Sequence, residues 1–130
     1  MELALEAAHT AILTCLADGY RIGVAVTDAN GQILVGLAAD GAAPGRVYTA
    51  VRKDLTAAAF KMPTSLLREK FLANPALLAQ LKPNMSVFPG ALPIMIGDQV
   101  LGAIGGSGGT IYEEEHCARA GAEKIKSRLN

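Results

Sequence analysis

From Leu5 the apolar side chains recur as Leu5, Ala8, Ile12, Cys15 and Leu16, a spacing that lays one stripe along an amphipathic helix. Asp18-Gly19 supplies its stop. The pattern then changes period. Arg21 to Asp28 and Gln32 to Ala38 are short runs rich in valine, isoleucine and leucine, joined through Asn30-Gly31, a strong hairpin signal that predicts an antiparallel strand pair. Asp40 to Gly45 sustains neither period, and its small residues and proline favour a loop.

A second helix is predicted over Val47 to Lys61, with Val47, Val51, Leu55, Ala58 and Met62 on one side. Pro63 ends it, because the residue before a proline avoids the α region. Thr64 to Leu72 and Pro75 to Leu81 read as two shorter helical pieces. Ser86 to Phe88, Leu92 to Ile96 and Val100 to Ile104 read as strands, with Gly97-Asp98-Gln99 turning between the last two. After the glycine-rich stretch Gly105 to Gly109, a last helix begins near Tyr112 with the stripe Ala118, Ala122, Ile125 and Leu129. Glu113, Glu114 and Glu115 lie in its first turn, where negative charge suits the macrodipole. The order lacks regular βαβ alternation, so the expected fold is α+β: one five-stranded antiparallel sheet with helices packed on its faces.

Length and composition narrow this further. The 130 residues suit a single domain, 1–130, with a real core. At 51% hydrophobic and 18% charged the chain carries surplus apolar surface, for which a homo-oligomer interface is the natural outlet. Twelve basic residues balance twelve acidic ones and no basic run occurs, which argues against a nucleic-acid partner. No apolar stretch approaches the roughly 20 residues that span a bilayer. Glu2 and Glu6 stand where a basic leader would be, so the expectation is a soluble, cytoplasmic protein without a membrane partner. The two cysteines, Cys15 and Cys117, match no zinc motif, and reduced structural thiols are expected.

Several phrases carry a family resemblance. Val26-Thr27-Asp28-Ala29-Asn30-Gly31 and Asp40-Gly41-Ala42 fall in order before Lys53-Asp54-Leu55-Thr56-Ala57 and Phe60-Lys61-Met62-Pro63-Thr64. Phe88-Pro89-Gly90-Ala91-Leu92-Pro93-Ile94 and Gly102-Ala103-Ile104-Gly105-Gly106-Ser107-Gly108-Gly109 follow. The series resembles the GlcG-like, or HbpS-like, haem-binding family and the related carboxy-terminal domain of PduO. Three positions depart from that pattern: Asp54 stands for alanine, Ala91 for a second glycine and Glu114 for aspartate. The resemblance implies a profilin-like α/β/α sandwich, assembly into dimers or larger oligomers, and haem or corrinoid-related binding in some members.

Candidate chemistry is sparse. His9 lies four residues after Leu5 and three before Ile12, which places its imidazole in the apolar arc of the first helix as a candidate haem ligand. The alternative is a buried histidine satisfied by a backbone carbonyl. Gly105, Gly106, Ser107, Gly108 and Gly109 precede a helix, so their N–H groups can face a phosphate or a cofactor propionate. They can equally serve only a sharp backbone turn. With the second-helix exit, Lys61, Met62 and Thr64, they make up the expected cofactor site, haem being the cofactor. Cys15, Cys117 and Met62 are possible soft ligands that also fit packing positions. His116 is expected to be exposed, forming with Glu113 or Glu115 either a surface metal site or a solvated helix start. Since a lone buried carboxylate is expensive, Asp54 is expected to pair with a basic residue such as Lys61, the alternative being that it faces a pocket or a subunit partner. Ser107 has a hydrolase-elbow spacing, with Gly105 and Gly109 two residues to either side, but lacks the parallel-sheet context of a hydrolase. No catalytic triad is assigned. The expected function is a small haem- or corrinoid-related cofactor-binding protein. Its alternatives are an oligomeric accessory protein without cofactor, and a small enzyme using Lys53, Lys61 or Asp54.

Overall fold

The computed structural model describes residues 2–129. Its elements run α1 (Glu2–Ala17), β1 (Gly23–Asp28), β2 (Ile33–Ala38), α2 (Arg46–Phe60), α3 (Thr64–Ala73), a 3-10 turn (Pro75–Gln80), β3 (Ala91–Ile96), β4 (Gln99–Ser107), α4 (Ile111–Ile125) and a short 3-10 turn (Lys126–Arg128). The hairpin predicted at Asn30-Gly31 is present. Asp28 Oδ1 accepts from the N–H groups of Asn30 and Gln32 at 2.9 Å each, and Gly31 takes the left-handed backbone the turn needs, with φ at 84°.

The sheet is antiparallel throughout, in the order β2-β1-β4-β3. It has four strands among the described residues, which corrects the expected five. Ser86 to Phe88 is not a strand, because the Ser86 N–H donates to Thr56 Oγ1 of α2 at 2.8 Å and so binds a helix side chain instead of a neighbouring strand. Strand β4 runs further than its apolar letters suggest. Gly105, Gly106 and Ser107 pair with Ala25, Val24 and Gly23 of β1, so three of the five residues of the expected glycine loop are sheet.

Helices cover both faces. On one, α1 and α4 pack over Val24, Val26, Leu92, Ile94 and Ile104; on the other, α2 lies over β1, β3 and β4, where the buried layer is Ala57, Ala91 and Ala103. The stripes of large residues are misleading for both α1 and α2. Helix α1 buries Ala4, Ala7, Ala8, Ala11, Ile12 and Cys15, while Leu5 and Leu16 of the predicted stripe stay exposed. Close packing is the cause: a Cβ at Gly121 of α4 would run into the Ala7 carbonyl oxygen, so only small side chains fit between these helices. In α2 the buried positions are Ala50, Lys53, Asp54, Thr56 and Ala57, and Val47, Val51 and Leu55 flank them half-buried.

The expectation of reduced thiols is also overturned. Cys15 and Cys117 form a disulfide that joins the end of α1 to α4, with Cα atoms 5.7 Å apart across 102 residues of sequence. Among the described residues no helix is long and apolar enough to cross a membrane.

Candidate functional site

Two charged residues of α2, Lys53 and Asp54, are buried, whereas Arg46 and Arg52 stay exposed. Lys53 Nζ donates to Glu114 Oε1 and to the Gly106 carbonyl, each at 3.0 Å, and both side chains are buried. Burial pushes the Lys53 amine down from its usual range, and Glu114 opposes that shift. Glu114 Oε2 accepts from the N–H groups of Gly108 and, at 3.1 Å, Gly109. The glycine turn therefore holds an anion, but the anion is the protein's own carboxylate. A ring of this kind is stable because every charge has an opposite charge or a hydrogen bond.

Asp54, next to Lys53, has no such arrangement. Its side chain is fully buried under α2, with Oδ1 against the bare Cα of Gly105, and neither oxygen has a hydrogen-bond partner among the described residues. Burial raises its carboxyl well above the ordinary range, with Lys53 opposing. The expected Asp54–Lys61 pair is absent, because Lys61 sits exposed just past the end of α2, in the left-handed region with φ at 57°.

The exit of α2 is tied to the sheet. Thr64 Oγ1 donates to the Ala91 carbonyl at 3.3 Å and accepts from the Ala91 N–H at 3.1 Å, and Ala91 pairs with Gly105. The lysine-methionine-proline-threonine phrase and the serine-glycine phrase are thus neighbours through one strand. Beside them, Ser65 donates to Glu115 through its N–H at 3.1 Å and its hydroxyl at 2.7 Å. Met62 is half-buried and Ser107 is buried.

His9 lies elsewhere. It is exposed on α1, not buried in an apolar arc, and lines an open groove of about 550 Å³ with Glu2, Leu5, Glu6 and Leu37. Leu37 belongs to edge strand β2, whereas Thr64 abuts β3 at the opposite edge. The structure therefore separates His9 from Lys61, Met62, Thr64 and Gly105 to Gly109. Arg128 sits 2.8 Å from Glu6, which lines the groove, and its hydrogen bond holds the Glu6 carboxyl below its usual range. A second apolar cleft, lined by Leu3, Val26, Leu34, Ile94, Leu101 and Leu129, measures about 150 Å³, room for a benzene-sized molecule and not for a porphyrin.

The Lys53–Glu114 pair escaped the sequence reading. Its trace is there: Lys53 is three residues after Ala50 and four before Ala57, which puts a charge on the small-residue face that packs on the sheet.

Comparison with known proteins agrees with this architecture. Residues 1–123 match the family model described as haem degrading protein HbpS-like. The structure of HbpS is 34% identical, with a TM-score of 0.88 over 95% of this chain and 87% of that one. A double mutant of Streptomyces reticuli HbpS is 36% identical, with a TM-score of 0.87 over 95% of this chain and 84% of that one. A PduOC:heme complex, 20% identical, shares the fold with a TM-score of 0.83 over 100% of this chain and 94% of that one. Among curated proteins none matches.

Proposed function

Since the chain belongs to the HbpS-like family, we propose that it is a small haem-binding protein whose axial ligand is His9. The observation that carries this reading is an exposed imidazole set in an open groove between Leu5 and Leu37. These residues fit the group: a neutral imidazole nitrogen binds iron, and leucine hydrocarbon covers the porphyrin face. The family description and the PduOC:heme complex support haem as the ligand class by kinship of fold. Bound haem would supply an iron centre able to change oxidation state. The chain's part is to present the imidazole, to shield one ring face, and to offer Arg128 as a partner for a propionate.

In this reading Lys61, Met62, Thr64 and the stretch from Gly105 to Gly109 have a structural part. They hold the start of α3, the end of β4 and the start of α4 together. Self-association is part of the same reading: β2 is a sheet edge on which Ile33 and Leu34 are 50% and 39% exposed, and an uncharged bare edge invites a second strand. The disulfide favours an oxidising compartment over the cytoplasm as the setting.

Haem titration tests the proposal. The purified chain should give a saturable Soret shift at one haem per chain, lost in His9→Ala and kept in Lys61→Ala and Met62→Ala. A shift that survives in His9→Ala but disappears in Met62→Ala would move the site to the exit of α2.

A further inference from the structure

Past the last turn of α1, Asp18 faces the first turn of α4. Asp18, Glu113 and His116 each bring a ligand atom to within 4.8 Å of the others. Glu113 and His116 are three residues apart on α4 and share one side of it. Glu113 Oε1 is buried and has no hydrogen-bond donor among the described residues. Two carboxylates held this close repel each other unless a proton or a cation stands between them. From this arrangement we infer that Asp18, Glu113 and His116 bind a divalent first-row transition ion.

The imidazole distinguishes this set from a solvated acidic patch. One nitrogen and two carboxylate ligands suit zinc-like ions better than calcium or magnesium, which take oxygen alone. Asp18 and His116 are exposed, so water can complete the coordination. The disulfide presets the separation of the ligands: Cys15 is three residues before Asp18, Cys117 adjoins His116, and Cys15 Sγ lies 3.9 Å from the Glu113 carbonyl oxygen. Fixing both segments in advance removes ordering cost from binding. No residue is shared with the haem groove, so the metal site stands or falls independently of the haem proposal.

Calorimetric titration of zinc chloride into the disulfide-intact chain tests it. One ion should bind per chain, and His116→Ala and Glu113→Gln should each weaken binding by at least about tenfold, the scale on which lesser, outer-shell changes already act. Glu123→Gln, further along α4, should bind as the parent does. The double variant Cys15→Ser, Cys117→Ser should bind more weakly, and equal affinity there would overturn the clamping role. A parent chain that takes up no zinc, or a folded His116→Ala variant that binds it as tightly, overturns the site itself.

Discussion

Replacing Asp54 by alanine should stabilise the protein. The resemblance puts alanine at this position, and the structure shows what the aspartate costs. Its carboxyl is fully buried with both oxygens unpartnered among the described residues, a defect worth about 1–3 kcal/mol. Truncation leaves a space of about 20–25 Å³, which at about 24 cal/mol per Å³ costs roughly 0.5 kcal/mol. Lys53 keeps its bonds to Glu114 and the Gly106 carbonyl, so no new orphan is made. The net gain near neutral pH is about 1 kcal/mol, or about 3–5 °C in Tm for a chain of this size. The effect carries a pH signature. Because burial raises the folded-state pKa of Asp54 well above 3.8, the folded protein holds a proton that the unfolded chain releases. The stability this confers is full below 3.8 and is lost as pH rises through the folded value. The parent should therefore fall further behind Asp54→Ala between about pH 5 and about pH 8 in urea denaturation. A variant less stable than the parent at both pH values would refute the reasoning and show that Asp54 has a favourable partner.

Three other outcomes follow from the packing. Lys53→Met should cost about 3–5 kcal/mol in chemical denaturation, because it strands the buried Glu114 carboxylate; a loss under about 1 kcal/mol would mean that the glycine N–H groups alone satisfy it. Reducing Cys15–Cys117, which closes a loop of about 100 residues, should lower stability by about 2–5 kcal/mol; an unchanged Tm would show that the α1–α4 contact needs no crosslink. Gly121→Ala should destabilise by about 2 kcal/mol or more, because the new methyl meets the Ala7 carbonyl oxygen across the helix pair; calorimetry showing a neutral change would mean that the two helices can separate at little cost.

Local chemistry is legible in the sequence, and tertiary packing is not. The Asn30-Gly31 turn, the stop at Pro63 and the Gly97-Asp98 turn are readable because each depends on neighbouring residues only. The buried faces of α1 and α2 are hidden because side-chain size is a poor proxy for burial here. Where helices approach on glycine and alanine, the leucines at Leu5, Leu13 and Leu16 are pushed outward. His9 goes with them, since its expected position depends on that of Leu5. The disulfide joins residues 102 apart, a separation that carries no local sign, and the strand pairing of Gly105 to Ser107 depends on β1 far upstream. The approach of the second-helix exit to the glycine phrase is anticipated through the resemblance, whereas the Glu114 carboxylate filling that turn depends on a long-range contact with Lys53.

The location of bound haem can be read directly from amide line broadening when ferric haem is titrated into isotopically labelled protein. With His9 on the iron, signal should be lost around residues 2–9 of α1 and 35–38 of β2, and the exit of α2 and the glycine turn should be unaffected. Broadening centred instead on residues 61–66 and 105–115 would contradict that assignment, and would place the cofactor beside the Lys53–Glu114 pair.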